Sequence, residues 1–305
     1  MLPRLPWRTL ALIVLLILFL VPLPGIQGPL WRVLEDAAHV FIFAALAPLL
    51  ALWLRSTRLL ANRSNLSASA CAWGLAVALG LAIEILQSLS GRDASWSDLL
   101  ADALGAASGL LAQAAWQLRA QQHHKRWLMA AASLATLLIG CWPLGQQLAA
   151  QFTAQRALPV LLGDTTAYAL HNLEQRSASI DRVAAQWRIQ FRDEEPWPGI
   201  TFEGWPRNWR GYRTLILDLQ NPDGNPVEIG LVVRDTADTN SYDNRFNTAF
   251  ALPPGAQRMI VLPLEEIART PGGRKLNLGR VCSVSLFRTQ GAGRALLVRA
   301  VRLQP

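Results

Sequence analysis

The stretch Glu84-Ile-Leu-Gln87-Ser-Leu-Ser-Gly-Arg92-Asp-Ala-Ser-Trp-Ser-Asp98-Leu-Leu-Ala-Asp102-Ala-Leu-Gly105-Ala-Ala-Ser-Gly109 decides how the first half of this chain is read. Long apolar runs flank it, yet it is studded with ionisable groups. Such groups are costly inside a membrane and as a rule face a bundle interior or a wet cavity. Asp98, Asp102, Gly105 and Gly109 recur at helical spacing and so share one stripe of a helix. Gly105 and Gly109 form a small-xxx-small pair, which lets helix backbones approach closely in lipid. Upstream, Asp36, His39 and Phe43 also share one helical face.

The apolar runs around this stretch are Trp7–Leu23, Val33–Leu54, Ala68–Leu89, Leu99–Trp116 and Trp127–Leu144. Each approaches the roughly 20 residues that a membrane-spanning helix needs. The first is read as a retained helix rather than a signal peptide, because Pro22, Pro24 and Gly25 follow it in place of a small-residue cleavage site. Net charge is +8. The basic residues near the runs explain this excess better than nucleic acid does. Arg4 and Arg8, then Arg55, Arg58 and Arg63, then Arg119, Lys125 and Arg126 fall on one side, whereas the alternate loops carry only Arg32 and Arg92. The positive-inside rule therefore puts the N-terminus in the cytoplasm and, after five spans, the C-terminal half outside it. On that topology Asp36, His39, Glu84, Gln87, Arg92, Asp98 and Asp102 converge near the outer leaflet.

Three chemistries suit such a pocket. It can be a hydrogen-bonded lock between helices, with Arg92 pairing Glu84 or Asp98. It can bind an envelope ligand, with Arg92 and His39 on headgroup atoms. It can also be catalytic, with His39 as general base, Glu84 or Asp98 orienting it and Arg92 stabilising developing negative charge. No metal-ligand motif accompanies His39, Glu84 and Asp98. His123 and His124, beside Lys125 and Arg126, read as a solvated turn. Cys71, Cys141 and Cys282 form no disulfide framework, and nothing calls for a cofactor.

The ordered set Asp36-x-x-His39-x-x-x-Phe43, Glu84-x-x-Gln87, Arg92, Asp98 and Asp102-x-x-Gly105-x-x-x-Gly109 resembles the VanZ-like membrane family over about residues 30–118. Asp102 stands where many relatives carry Asn, and Ala37 where a Lys is common. The resemblance implies a multi-pass membrane protein, in some members linked to low-level glycopeptide resistance, whose biochemical activity is poorly defined.

Beyond about Pro159 the pattern changes. Trp187, Ile189 and Phe191 alternate, as do Leu215, Leu217 and Leu219, and Asn221-Pro-Asp-Gly-Asn225 is a strong turn signal. Further strands are expected at Ile229–Val233, Arg258–Leu262, Val281–Phe287 and Leu296–Leu303, with a helical turn after Pro263. Many short strands between turns argue for an antiparallel sandwich. Trp209-Arg-Gly-Tyr212-Arg-Thr-Leu215, Leu231–Asp235, Tyr242–Asn247 and Leu252–Gly255 resemble a carbohydrate-binding-module sandwich of the galactose-binding-like class over about residues 180–305. That resemblance implies a glycan ligand, with Trp205, Trp209, Tyr212, Asp235, Tyr242 and Arg245 as candidate contacts and Trp197 as a further candidate aromatic, although each of these aromatics can instead fill the sandwich core or cap its end. Asp235, Asp243 and Arg245 can instead form a buried salt bridge or hold calcium.

The expected architecture is thus an all-α multi-pass transmembrane bundle of about five helices (1–145), a stalk (146–180) and an all-β antiparallel jelly-roll sandwich (181–305). Its expected place is a bacterial inner membrane, with an envelope glycan as partner. The rival reading is a non-catalytic anchor whose sandwich docks a protein.

Overall fold

The computed structural model describes residues 29–57, 63–89, 96–118, 123–163, 170–239 and 241–305. The run Trp7–Leu23 and residues Arg58, Arg92 and Arg119 lie outside them. Leu30–Gln146 and Gln147–Pro305 belong to two separate compact units.

The first unit is helical. It contains α1 (Pro29–Ser56), α2 (Asn65–Leu89), α3 (Trp96–Gln117) and α4 (His123–Gly140), and α5 (Trp142–Arg156) begins at its end. Among the described residues three helices are long and apolar enough to cross a membrane, over Val33–Ser56, Asn65–Leu86 and Trp96–Gln117. A fourth crossing is met only by α4 and α5 together, a pair bent by 54°. The break falls at Cys141, just before Pro143, which has no amide hydrogen to give the preceding turn and crowds its carbonyl. Ser64 caps α2 by accepting the Ser67 amide at 3.1 Å.

Close packing follows from small residues. A Cβ on Gly105 would stand 2.3 Å from the Val40 carbonyl oxygen of α1, and one on Gly109 would stand 1.9 Å from that of Ala44. The glycine stripe of α3 therefore lies directly on the α1 backbone. Pro48 interrupts α1 one turn beyond Ala44, so the Ala44 carbonyl lacks its usual helical donor. The carbonyl freed in this way is the one that meets Gly109. Ser108 and Ser133 join α3 to α4 by donating to each other's carbonyls, both at 2.9 Å.

The second unit is an antiparallel β-sandwich. Its six-stranded sheet runs β3 (Ala178–Val183), β4 (Gln186–Phe191), β11 (Ala295–Gln304), β6 (Thr214–Gln220) and β9 (Gln257–Pro263), with β1 (Val160–Leu162) also on β11. The five-stranded sheet runs β2 (Leu173–Arg176), β5 (Gly199–Phe202), β10 (Val281–Gly291), β7 (Val227–Asp235) and β8 (Phe246–Leu252). The helical turn expected after Pro263 is α6 (Leu264–Ile267). Trp187, Ile189 and Phe191 of β4 and Leu215, Leu217 and Leu219 of β6 point into a single core. In the expected turn, the buried Asn221 side chain donates to the carbonyls of Asn225, Leu252 and Pro253 and accepts from the Asp223 amide.

One boundary is corrected. The sandwich reaches back into 146–180, where a stalk was expected. Ala154 of α5 is buried in its core, β1 pairs β11 and β2 pairs β5. Sequence patterning missed these strands because β1 has only three residues and β2 is mostly exposed.

Candidate functional site

In the helical unit, α1, α2 and α3 each bring polar groups toward one place. His39 Nδ1 lies 3.0 Å from Asp102 Oδ1, and Asp102 is 1% exposed. The other Asp102 oxygen faces Gly80 of α2, where a Cβ would stand 2.3 Å from it. Asp36 and Asp98 are within hydrogen-bonding reach of each other, and Glu84, itself buried, lies near enough to act electrostatically on His39. Phe43, on the His39 face of α1, is buried in the apolar layer beside this cluster. Gln87 belongs to α2, but its side chain, like all of Arg92, lies outside what is described. Among the described residues no group of three or more His, Cys, Asp or Glu side chains is arranged to hold a metal ion.

In the sandwich, the glycan candidates separate. Trp209 is fully buried, and its indole N–H donates to the Pro206 carbonyl at 2.8 Å. Trp205 is buried and stacks on Phe202, with ring centroids 4.6 Å apart. Neither offers a face for stacking sugar, because both fill the core. Tyr212 packs against that core and, with Glu203, Gly204 and Arg210, lines a second recess. Asp235 is also corrected. Its carboxylate is buried and takes two hydrogen bonds from Arg274, both at 2.8 Å, and one from the Asn277 amide at 2.6 Å. It is a structural ion pair, and its partner is Arg274 rather than the nearby Arg245.

Tyr242 and Arg245 do share a site. The outer face of the five-stranded sheet forms a groove of about 580 Å³, lined by both residues and by Trp197, Thr201, Arg234, Asn247, Ser285 and Phe287. Strand alternation builds it. Val284 and Leu286 point into the core, so Ser285 and Phe287 point out. Phe287 of β10 has Gly199 and Gly230 as its cross-strand neighbours. A Cβ on Gly230 would stand 2.5 Å from Phe287 Cζ, and one on Gly199 would stand 2.4 Å from Phe287 Cβ. The ring therefore lies down across Gly230 and makes a flat aromatic floor. One row along, Thr201 and Ser285 share a hydrogen bond of 2.8 Å.

Two exposed aromatics frame this floor. Trp197 precedes β5, Tyr242 precedes β8, and they are 60% and 61% exposed. Because β10 and β7 lie between β5 and β8, those strands are about 14 Å apart at ~4.8 Å per strand. The strands also start from opposite ends of the sheet, so the aromatics enter from opposite corners. Trp197 has φ 55°, a left-handed conformation that is costly for a bulky side chain. Strain of this kind persists only where the surroundings over-determine it, and it concentrates at functional sites.

The ion pair serves this groove. Arg274 also donates to the Asn244 carbonyl at 2.5 Å and to its side-chain oxygen at 2.9 Å, which pins the short 3-10 turn Tyr242–Asn244. Burial by itself pushes the Asp235 carboxyl up, but Arg274 and the Asn277 amide outweigh it and hold the group below its ordinary value.

Phe287, Arg234 and the Thr201–Ser285 pair were missed in the sequence reading. The available signal was a glycine at the start of one strand and another inside a second, which often marks close approach of another group.

No known family matches this chain, and no curated protein matches it in sequence. Among solved structures it is similar to a family 11 carbohydrate-binding module from Clostridium thermocellum in complex with a β-1,3-1,4-mixed-linked tetrasaccharide, with 12% identity and a TM-score of 0.35 over 47% of this chain and 93% of the module. It is similar to the solution structure of CtCBM11, with 14% identity and a TM-score of 0.37 over 46% of this chain and 91% of the other. A further likeness is to PfGH50B, with 15% identity and a TM-score of 0.34 over 44% of this chain, which spans only 22% of that one.

Proposed function

We propose that this chain is a membrane-anchored glycan-binding protein of a bacterial envelope. A VanZ-like bundle sits in the inner membrane with its N-terminus in the cytoplasm, and the sandwich groove faces the envelope glycan. The observation that carries the reading is the Phe287 floor, with Trp197 and Tyr242 exposed at opposite corners of the same groove. Flat aromatic faces suit the apolar faces of sugar rings, and the Thr201, Ser285 and Asn247 side chains supply hydroxyl and amide partners. The groove is concave and of mixed polarity, whereas the apolar patch of a protein-docking surface is the mark of the rival reading.

The test is binding of the detergent-solubilised full chain to peptidoglycan and to soluble β-glucans. Truncating a central aromatic anchor typically costs about 2 kcal/mol, so Phe287→Ala is expected to weaken glycan binding at least tenfold. Tyr242→Ala is expected to weaken it less. Wild-type binding in Phe287→Ala would remove the groove from the account.

The bundle cluster is proposed to bind an envelope component on the same side. His39→Ala and Glu84→Ala are expected to accumulate in the membrane at wild-type levels while losing any envelope phenotype, read as glycopeptide tolerance. Loss of accumulation in both variants would instead make the cluster a lock between helices.

A further inference from the structure

We infer that the groove takes an acidic polysaccharide, a chain bearing sugar carboxylates, and that Arg245 is the residue that binds the carboxylate. This deepens the glycan-binding reading above and rests on it. The groove lining holds Arg176, Arg234 and Arg245 against a single carboxylate, Glu174. Two of these cations are compensated nearby. Arg176 pairs with Glu195 at 3.0 Å, and Arg234 pairs with the buried Asp238 at 3.4 Å.

Arg245 is different. It is half-buried, and its Nε donates to a neutral acceptor, Asn247 Oδ1, at 3.1 Å. Asn247 is itself held in place, because its Nδ2 donates to the carbonyls of Tyr242 and Arg245. Among the described residues no carboxylate lies within ion-pair distance of Arg245, and its terminal nitrogens make no hydrogen bond. Burial first, and then the like charge of Arg234, hold its guanidinium below its ordinary pKa, and Asp238 and Tyr242 offset this only in part. Elsewhere in the same sandwich a guanidinium in a comparable setting is neutralised, as Asp235 neutralises Arg274.

A half-buried guanidinium beside another cation is stabilised by an incoming anion. Its planar fork matches a carboxylate in bidentate geometry, a fit that a neutral hydroxyl does not reproduce. Arg245 follows three residues after Tyr242 in sequence and lines the same groove. A sugar ring stacked on that tyrosine would therefore present its carboxylate to Arg245.

The experiment uses the full chain in detergent. Polygalacturonate, alginate and hyaluronan are titrated beside the same polymers with their carboxylates chemically reduced to alcohols. Mixed-linkage β-glucan and peptidoglycan serve as further probes. At least one acidic polymer is expected to bind about tenfold or more tightly than its reduced form. That preference should shrink with added salt and vanish in Arg245→Gln, in which the acidic polymer and its reduced form should bind alike. Arg245→Lys should restore only part of it.

Equal binding of acidic and reduced forms, or an acid preference that survives in Arg245→Gln, overturns the carboxylate assignment and leaves the glycan groove standing. Binding to neutral probes alone does the same. If no acidic or neutral probe binds a chain whose tryptophan fluorescence shows a folded sandwich, the glycan reading falls together with this one.

Discussion

Gly109→Val is expected to prevent the helical unit from assembling. The added Cβ would meet the Ala44 carbonyl oxygen at 1.9 Å, and that atom belongs to a backbone that cannot rotate aside. The α1–α3 contact must open, and Val40, Ala44 and Ala106 lose their packing. Overpacking typically costs about 1–3 kcal/mol, occasionally more, and a backbone clash lies at the upper end. The expected readout is loss of monodisperse protein after detergent extraction. Gly74→Val is the control, since no atom lies within 4 Å of a Cβ built there. Equal yields from the two variants would show that the α1–α3 contact does not hold the bundle together.

Arg274→Ala is expected to have the largest effect in the sandwich. It strands the buried Asp235 carboxylate with only backbone amides and frees the Tyr242–Asn244 turn. Breaking one side of a buried ion pair costs about 3 kcal/mol, which corresponds to a midpoint lower by roughly 10 °C for a domain of this size. Arg269→Ala, which removes an exposed pair with Glu265, should leave the midpoint where it is. Glycan binding should fall along with stability in Arg274→Ala, because the segment that carries Tyr242 and Arg245 loses its anchor.

The acid dependence has a definite sign. The Asp235 carboxyl is held below its ordinary value in the folded state. Its contribution is therefore complete above the unfolded value of about 3.9 and disappears as pH falls through the lower folded value. The difference in midpoint between wild type and Arg274→Ala should be constant near neutrality and narrow in acid, starting where the still-buried Asp235 of the variant takes up its proton without Arg274 to oppose it. A gap that closed between pH 6 and 8 would point to a group other than Asp235.

The Asp98–Gly109 stripe was legible because helical spacing is a local property, and polar and small residues recurring within an apolar run already mark the face that packs on another helix. The strands of the inner core were legible for the same local reason, as with Leu215, Leu217 and Leu219. What escaped depended on distant neighbours. Phe287 reads as one more apolar strand residue until Gly199 and Gly230 are placed beside it. Asp235 has Arg245 nearby in sequence, but sheet topology brings Arg274 to it. Trp205 and Trp209 have the composition of sugar-stacking residues, and only the packing of the core shows that they are buried.

The position of β11 bears on how the sandwich is made. The last strand described lies in the middle of its sheet, between β6 on one side and β4 and β1 on the other. The strand nearest the helices, β1, thus waits for a partner at the far end of the domain. Contacts so remote in sequence slow folding. Until β11 arrives, β4 and β6 present facing unpaired edges, the kind of surface on which chains aggregate. A chain cut short before Ala295 should therefore fail to fold and tend to clump, rather than survive as a slightly smaller sandwich.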